Sequence, residues 1–340
     1  MISVLVVIIG ISVLILVHEL GHFLAAKFFG VGVEEFGIGF PPRIFSKKIG
    51  ETRYSVNWLP LGGFVKLRGE FQALEEEIAA GMTSSALAMT NKFIEKKPWQ
   101  RAIVMAAGVA MNFLLGWLLF SLILFIGAPQ YILVQEVLPN SAAMAAGMMK
   151  GDRIANFQSA NDFTAFLKNN FGKETTLEIL RFAQDGQTER LEMRVTPQGT
   201  LGVMISDIGL PAQSLPKAVT KGFLNSILVL WSILMALGSV FSAPQSFVGP
   251  IGIFNVAWET GKLGVIYIFQ LLALISLNLA VLNLLPIPAL DGGRLLFLLI
   301  EKIKGSAIAR QKEIFWQTAG FVFLILLIIT ITVFDVVRLL

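Results

Sequence analysis

The 340-residue chain contains two histidines, and both lie in one pentapeptide, His18-Glu19-Leu20-Gly21-His22. On a helix, residues four apart share a face, so the two imidazoles can grip one metal ion. Glu19 then stands beside that ion as a candidate general base for hydrolysis. The chain has no cysteine, so disulfides and thiolate ligands are excluded and a third ligand must be a carboxylate. Asp291 is the foremost candidate. Glu34 and Glu35 are rivals, shortly after His22 in what reads as a loop.

The elements that must position these residues are apolar. Residues 1–17 carry no charged side chain, and 23–26 continue the run past the histidines. An ionisable group inside a membrane span is costly and marks function. The whole chain is 55% apolar and only 15% charged, with a mean hydropathy of +0.73. Soluble domains are about 25% charged, so this composition predicts a polytopic α-helical membrane protein. The start lacks a basic flank and a small-residue cleavage pattern, and reads as a retained span rather than a signal peptide. The net charge of +4 comes from scattered Lys and Arg without interleaved aromatics, which argues against a nucleic-acid partner.

Four segments are long enough to cross a bilayer, which takes ~20 apolar residues. They are 1–30, 101–130, 263–293 and 314–338. Ten Lys and Arg lie in 30–101 and four in 301–313, with none in 1–17. The positive-inside rule therefore places both loops in the cytoplasm and both termini outside. His18 sits ~25 Å along the first helix at ~1.5 Å per residue, toward the cytoplasmic end. The third span ends at the same side in Asn283-Leu284-Leu285-Pro286-Ile287-Pro288-Ala289-Leu290-Asp291-Gly292-Gly293. Pro286 and Pro288 break the helix, and His18, His22 and Asp291 can meet at one depth. A single crossing by the uncharged stretch 222–258 would put Asp291 on the wrong side. The segment 207–262 is therefore expected to be interfacial or re-entrant, broken at Pro244, Gly249, Pro250 and Gly252.

Between the spans, the loop 31–100 holds a hairpin at about 51–69, with β-prone residues 52–58 and 64–68 around Pro60, Gly62 and Gly63. Residues 70–97 read as a polar connector, with Glu75-Glu76-Glu77 as a solvated face. Residues 131–206 alone have soluble composition. Short β-like runs at 132–137, 176–181, 189–195 and 201–205, with a helix-like 162–169, predict a small α/β module.

The pentapeptide, Leu61-Gly62-Gly63-Phe64-Val65-Lys66, Gly249-Pro250-Ile251-Gly252 and the Asn283–Gly293 segment together resemble the site-2 protease family, the intramembrane zinc metalloproteases. The resemblance runs over nearly the whole chain and is nearest the bacterial regulator-of-sigma-E type. It implies one Zn²⁺ per chain on His18, His22 and Asp291, with Glu19 activating water for attack on a peptide carbonyl. Asn283, Pro286, Pro288, Gly62 and Gly63 would face the substrate. Asn283 would hold its backbone, and the hairpin would be a membrane re-entrant, cytoplasmic-side β-element that pairs with the unwound substrate as an edge strand. Residues 131–206, with the stretch from Asn140 to Ile154, resemble one PDZ module lying outside the membrane. It would contact the extracytoplasmic part or new C-terminus of a trimmed substrate. The expected setting is the bacterial inner membrane and its lipid, with the active site toward the cytoplasm. The expected activity is hydrolysis within single-span proteins such as anti-sigma factors or signal-peptide remnants. One departure is Val109, which replaces the proline of the family's Ala-Gly-Pro-x-x-Asn and leaves Asn112 as a span-packing residue. The rival readings are a catalytically inactive PDZ-bearing scaffold, which has no use for Glu19, and a metal transporter. A transporter needs acidic or His residues in several spans, and the uncharged cores of the second and fourth spans hold none.

Overall fold

The computed structural model describes residues 2–69, 92–157, 159–182, 188–196, 201–238, 248–306 and 308–339. The connector 70–91 with Glu75–Glu77, and Pro244, lie outside them. The chain divides into two compact units, one made of 1–121 with 219–340 and one of 122–218.

The larger unit is helical. Among the described residues, five helices are long and apolar enough to cross a membrane: α1 (Ile2–Phe28), α2 (Pro98–Ile126), a third at Leu215–Leu237, a fourth at Val265–Leu284 and a fifth at Arg310–Leu339. The count exceeds the expected four by Leu215–Leu237, which lies in the segment read as interfacial or re-entrant. After it comes a helix of 14 residues, Pro250–Leu263. At ~1.5 Å per residue it reaches only ~21 Å, short of a ~30 Å hydrocarbon core.

Apolar side chains hold the helices together. Val7 and Leu14 of α1 pack with Ala257, Ile268 and Leu272, and partly buried Leu115 and Leu119 of α2 join them. Phe120 of α2 packs with Ala273 and Leu277, flanked by Val229, Leu230 and Ile233. In the last helix, Asp335 is 3% exposed. Its carboxylate accepts the backbone N–H of Gly249 at 3.1 Å and of Gly252 at 2.8 Å. Gly249 caps the 14-residue helix and has no side chain to do so, and Asp335 supplies the missing acceptor from the opposite end of the sequence.

Two long antiparallel strands follow α1: β1 (Val33–Ile49) and β2 (Thr52–Leu67). Both are bent. Phe36 pairs with Tyr54 on one side and Val65 on the other, Gly37 with Ser55 and Phe64, and Ile38 with Val56 and Gly63. Residues 43–49 pair with 52–57. The ribbon is therefore a four-row sheet whose rows run 43–49, 52–57, 33–38, 63–67, with 63–67 as an edge. The sequence reading placed its hairpin turn at Pro60–Gly63 and overlooked β1, because Gly37, Gly39, Pro41 and Pro42 look like breakers. Strand pairing on both sides overrides that signal at Gly37, while Gly39, Pro41 and Pro42 mark the bend between the two rows of β1. Glu34 and Glu35 consequently lie on a strand, not a loop.

The smaller unit is a five-stranded antiparallel sheet of order β6-β5-β4-β3-β7, built from β3 (Ala128–Val137), β4 (Arg153–Ile154), β5 (Thr175–Phe182), β6 (Thr188–Val195) and β7 (Val203–Leu210). Helices α3 (Ala142–Ala145) and α4 (Ala160–Asn169) carry serine N-caps: Ser141 accepts from Met144 N–H and Ser159 from Asp162 N–H. Ile132, Val134, Ile154, Phe163, Leu177 and Ile179 form the buried centre. Asp152, 1% exposed, is held by Arg181 at 2.7 Å. The four β-like runs of the sequence lie within or overlap β3, β5, β6 and β7.

The helices after the smaller unit are α5 (Leu215–Leu237), α6 (Pro250–Leu263), α7 (Val265–Leu284), α8 (Asp291–Lys304) and α9 (Arg310–Leu339).

Candidate metal centre

His18 and His22 project from one face of α1, as their spacing requires. Asp291 is the first residue of α8, where a carboxylate is stabilised by the helix dipole. Its Oδ2 lies 3.0 Å from His18 Nε2 and 3.4 Å from His22 Nε2. The two Nε2 atoms are 3.1 Å apart. All three ligand atoms fall within 4.8 Å of one another. Both histidines are 7% exposed.

The donor set fits a zinc ion. Two imidazole nitrogens and a carboxylate oxygen leave a fourth position open, the usual pattern of a catalytic zinc. Asp291 Oδ2 is buried with no hydrogen-bond donor, an arrangement that calls for a cation among these electron pairs. Space is kept open from α2: a Cβ on Gly108 would lie 2.5 Å from His22 Nε2 and 2.7 Å from His18 Cε1. Any side chain there would fill the centre.

The far nitrogens of both rings are held by α2. His22 Nδ1 lies 2.8 Å from the carbonyl oxygen of Val104, which can only accept. Nδ1 therefore carries the proton and Nε2 is free to bind metal. His18 Nδ1 lies 3.2 Å from the Asn112 amide nitrogen, while Asn112 Oδ1 is buried without a partner. Rotating the amide by half a turn lets Oδ1 accept from His18 Nδ1–H and satisfies both groups. Val104, Gly108 and Asn112 are four residues apart and form one helical face. The sequence signal for this brace was Asn112, a polar residue in an uncharged span. The sequence reading gave it a packing role only.

Glu19 lines the same cavity of about 220 Å³, together with Ile15, His18, Asn112, Asn283 and Asp291. Its Oε2 accepts the backbone N–H of Val65, in the edge row 63–67, at 3.1 Å. Gly62 sits at φ +100° against Ile15, where a Cβ would come within 2.8 Å of the isoleucine, and Gly63 lies beside Leu16. A glycine pair lets the edge row lie against α1. Asn283, in the last turn of α7, places its amide nitrogen 3.4 Å from His18 Nε2. Pro286 and Pro288 lie in the turn between α7 and Asp291 and do not line the cavity. The rival ligands are committed elsewhere: Glu35 to Arg43 at 2.8 Å and Glu34 to Lys66 at 3.2 Å.

Residues 6–327 match the family model "Peptidase family M50". Among similar proteins, the Regulator of sigma-W protease RasP of Bacillus subtilis (strain 168) is 31% identical, with 99% of each chain covered. The zinc metalloprotease RasP of Bacillus licheniformis is 31% identical over 96% of each chain. The protein of the same name from Geobacillus kaustophilus (strain HTA426) is 28% identical, over 98% of this chain and 97% of its own.

Proposed function

Since the chain belongs to peptidase family M50 and is an intramembrane zinc metalloprotease, we propose a division of labour among its residues and a class of substrate. His18, His22 and Asp291 hold one Zn²⁺. The observation that carries this reading is the convergence, among the described residues, of these three side chains from two helices far apart in sequence on one buried point.

Zinc, when bound, supplies Lewis acidity that polarises a carbonyl and makes water more acidic. Glu19 takes a proton from the attacking water and returns it to the departing amine as the C–N bond breaks. Asn283 orients the substrate backbone beside His18. Pro286 and Pro288 shape the turn that presents Asp291. A peptide carbonyl within a helix is engaged in internal hydrogen bonds, so the substrate must unwind to react. The edge row 63–67, with Gly62 and Gly63 at its start, offers a strand to pair with it. The Val65–Glu19 bond supports this reading, because it puts the edge row next to the base.

We place the chain as a multi-pass protein of the bacterial inner membrane, with the centre toward the cytoplasm and the 131–206 module, of PDZ type, outside. In this topology α5 makes no net crossing. The Trp117 indole donates to the carbonyl of Val219 at 3.0 Å, which anchors the start of α5 near the far end of α2. Gly249 is anchored by Asp335 near the far end of α9. Both far ends lie away from the metal centre, since α2 meets it at Val104–Asn112 and α9 approaches the Asp291 turn near its own start. Substrates are single-span membrane proteins, such as anti-sigma factors or signal-peptide remnants, whose trimmed ends the module admits.

The test is cleavage of a panel of tagged single-span proteins in detergent by wild type and Glu19→Gln, with zinc measured on the same samples. Cleavage by wild type alone, with zinc in both, is the expected result. Turnover by Glu19→Gln removes Glu19 from its role, and zinc in neither sample removes the metal centre.

A further inference from the structure

We propose that Gln317, in the last helix, is a positioning residue for Asp291. It holds the turn before that ligand in a conformation the turn does not keep by itself. The inference rests on the metal centre proposed above.

Ala289, two residues before Asp291, has φ +80°. In this left-handed region Cβ crowds the following carbonyl oxygen, and glycine is the usual occupant. Among the described residues only one other non-glycine residue has positive φ, Asn140, a type that tolerates it. Alanine does not, so something outside the turn must hold it there.

The holding group is visible. Ala289 N–H donates to Gln317 Oε1 at 2.6 Å, across 28 residues of sequence. One turn further along α9, Gly320 lies against the same turn: a Cβ there would meet the Pro288 carbonyl oxygen at 2.2 Å. The last helix therefore approaches through a glycine and grips through an amide. Leu290, the N-cap of α8, provides no side-chain cap, so local sequence does little to fix where α8 begins. No residue of α9 lines the cavity. Gln317 acts on the metal only through Ala289. If φ at Ala289 relaxed to negative values, the chain direction at Asp291 would turn and carry its carboxylate away from His18 and His22.

The experiment uses the full chain in detergent. Zinc affinity is measured by competition with a chromophoric chelator, and the visible spectrum is recorded after loading with Co²⁺. Gln317→Met keeps the side-chain length and loses the acceptor, and it should weaken zinc binding by roughly 10–100-fold, the usual effect of losing an outer-sphere support, and shift the Co²⁺ bands. Gln317→Glu keeps an acceptor oxygen and should stay near wild type. Ala289→Gly added to Gln317→Met should recover most of the lost affinity, because glycine adopts the turn conformation without strain. Wild-type affinity and spectrum in Gln317→Met overturn the proposal. So does an equal loss in the Met and Glu variants without rescue, which would assign Gln317 to general helix packing. A wild-type chain that binds no zinc overturns the metal centre itself, a separately readable result.

Discussion

The Glu19 carboxylate accepts the backbone N–H of Val65 at 3.1 Å, so the only acidic side chain of α1 is tied to the free edge of the four-row sheet. This bond involves a backbone group that no side-chain substitution touches, except proline. Val65→Pro should leave zinc binding intact and reduce turnover. A hydrogen bond to a charged group is worth about 1.5–3 kcal/mol, which corresponds to roughly 10–100-fold in rate. Cleavage rate and zinc content of the variant, measured together, check this. Unchanged turnover would show that the edge row and the base act independently.

Asp291→Ala should lower zinc content far below one per chain, whereas Glu35→Ala and Glu34→Ala should leave it unchanged. Metal analysis of the purified variants decides between the three carboxylates. The difference follows from the ion pairs that hold Glu34 and Glu35 on the sheet.

Asn112→Leu should weaken zinc binding by roughly 10–100-fold, since it removes the acceptor for His18 Nδ1–H. Asn112→Asp keeps an acceptor oxygen and should lose far less. Chelator competition distinguishes them. Equal losses would mean that Asn112 serves packing alone.

In the smaller unit, Asp152→Ala should strip Arg181 of its carboxylate partner and cost about 1.5–3 kcal/mol, the worth of a hydrogen bond to a charged group, read as a lower midpoint for proteolysis of that unit. Zinc content should not change. The hydrogen bonds that Arg181 donates to the Asp152 carboxylate hold its pKa further above the ordinary arginine value, so it stays charged throughout the working range.

The centre was more legible in the sequence than the scaffold around it. His18, Glu19 and His22 needed only helical periodicity, and Asp291 followed from the proline breaks and the matching depth of two spans. What excluded Glu34 and Glu35 was long-range strand register, which no local pattern encodes. The same register hid β1, in which Gly37 is paired on both sides and the bend between rows 33–38 and 43–49 takes up Gly39, Pro41 and Pro42. Asn112 stood out as polar in an uncharged span, yet its partner could not be named without the α1–α2 crossing. Gln317 gave no signal, because a glutamine near a helix start is ordinary until the strained alanine it holds is seen. The helix α5, beyond the four spans expected, has the length and hydropathy of a span, and the sequence reading set it aside on an argument about orientation rather than composition.

Asp335 and Gln317 stand 18 residues apart on one helix and grip two different parts of the chain, the α6 cap and the Asp291 turn. The last helix is therefore a clasp closed from the C-terminal side. During synthesis His18, His22 and Asp291 all leave the ribosome before it does. On the proposal above, a nascent chain holds all three candidate ligands before the helix that steadies the third has been made. Changes in α9, far from His18 and His22 in sequence, act on the helix proposed to steady the third ligand.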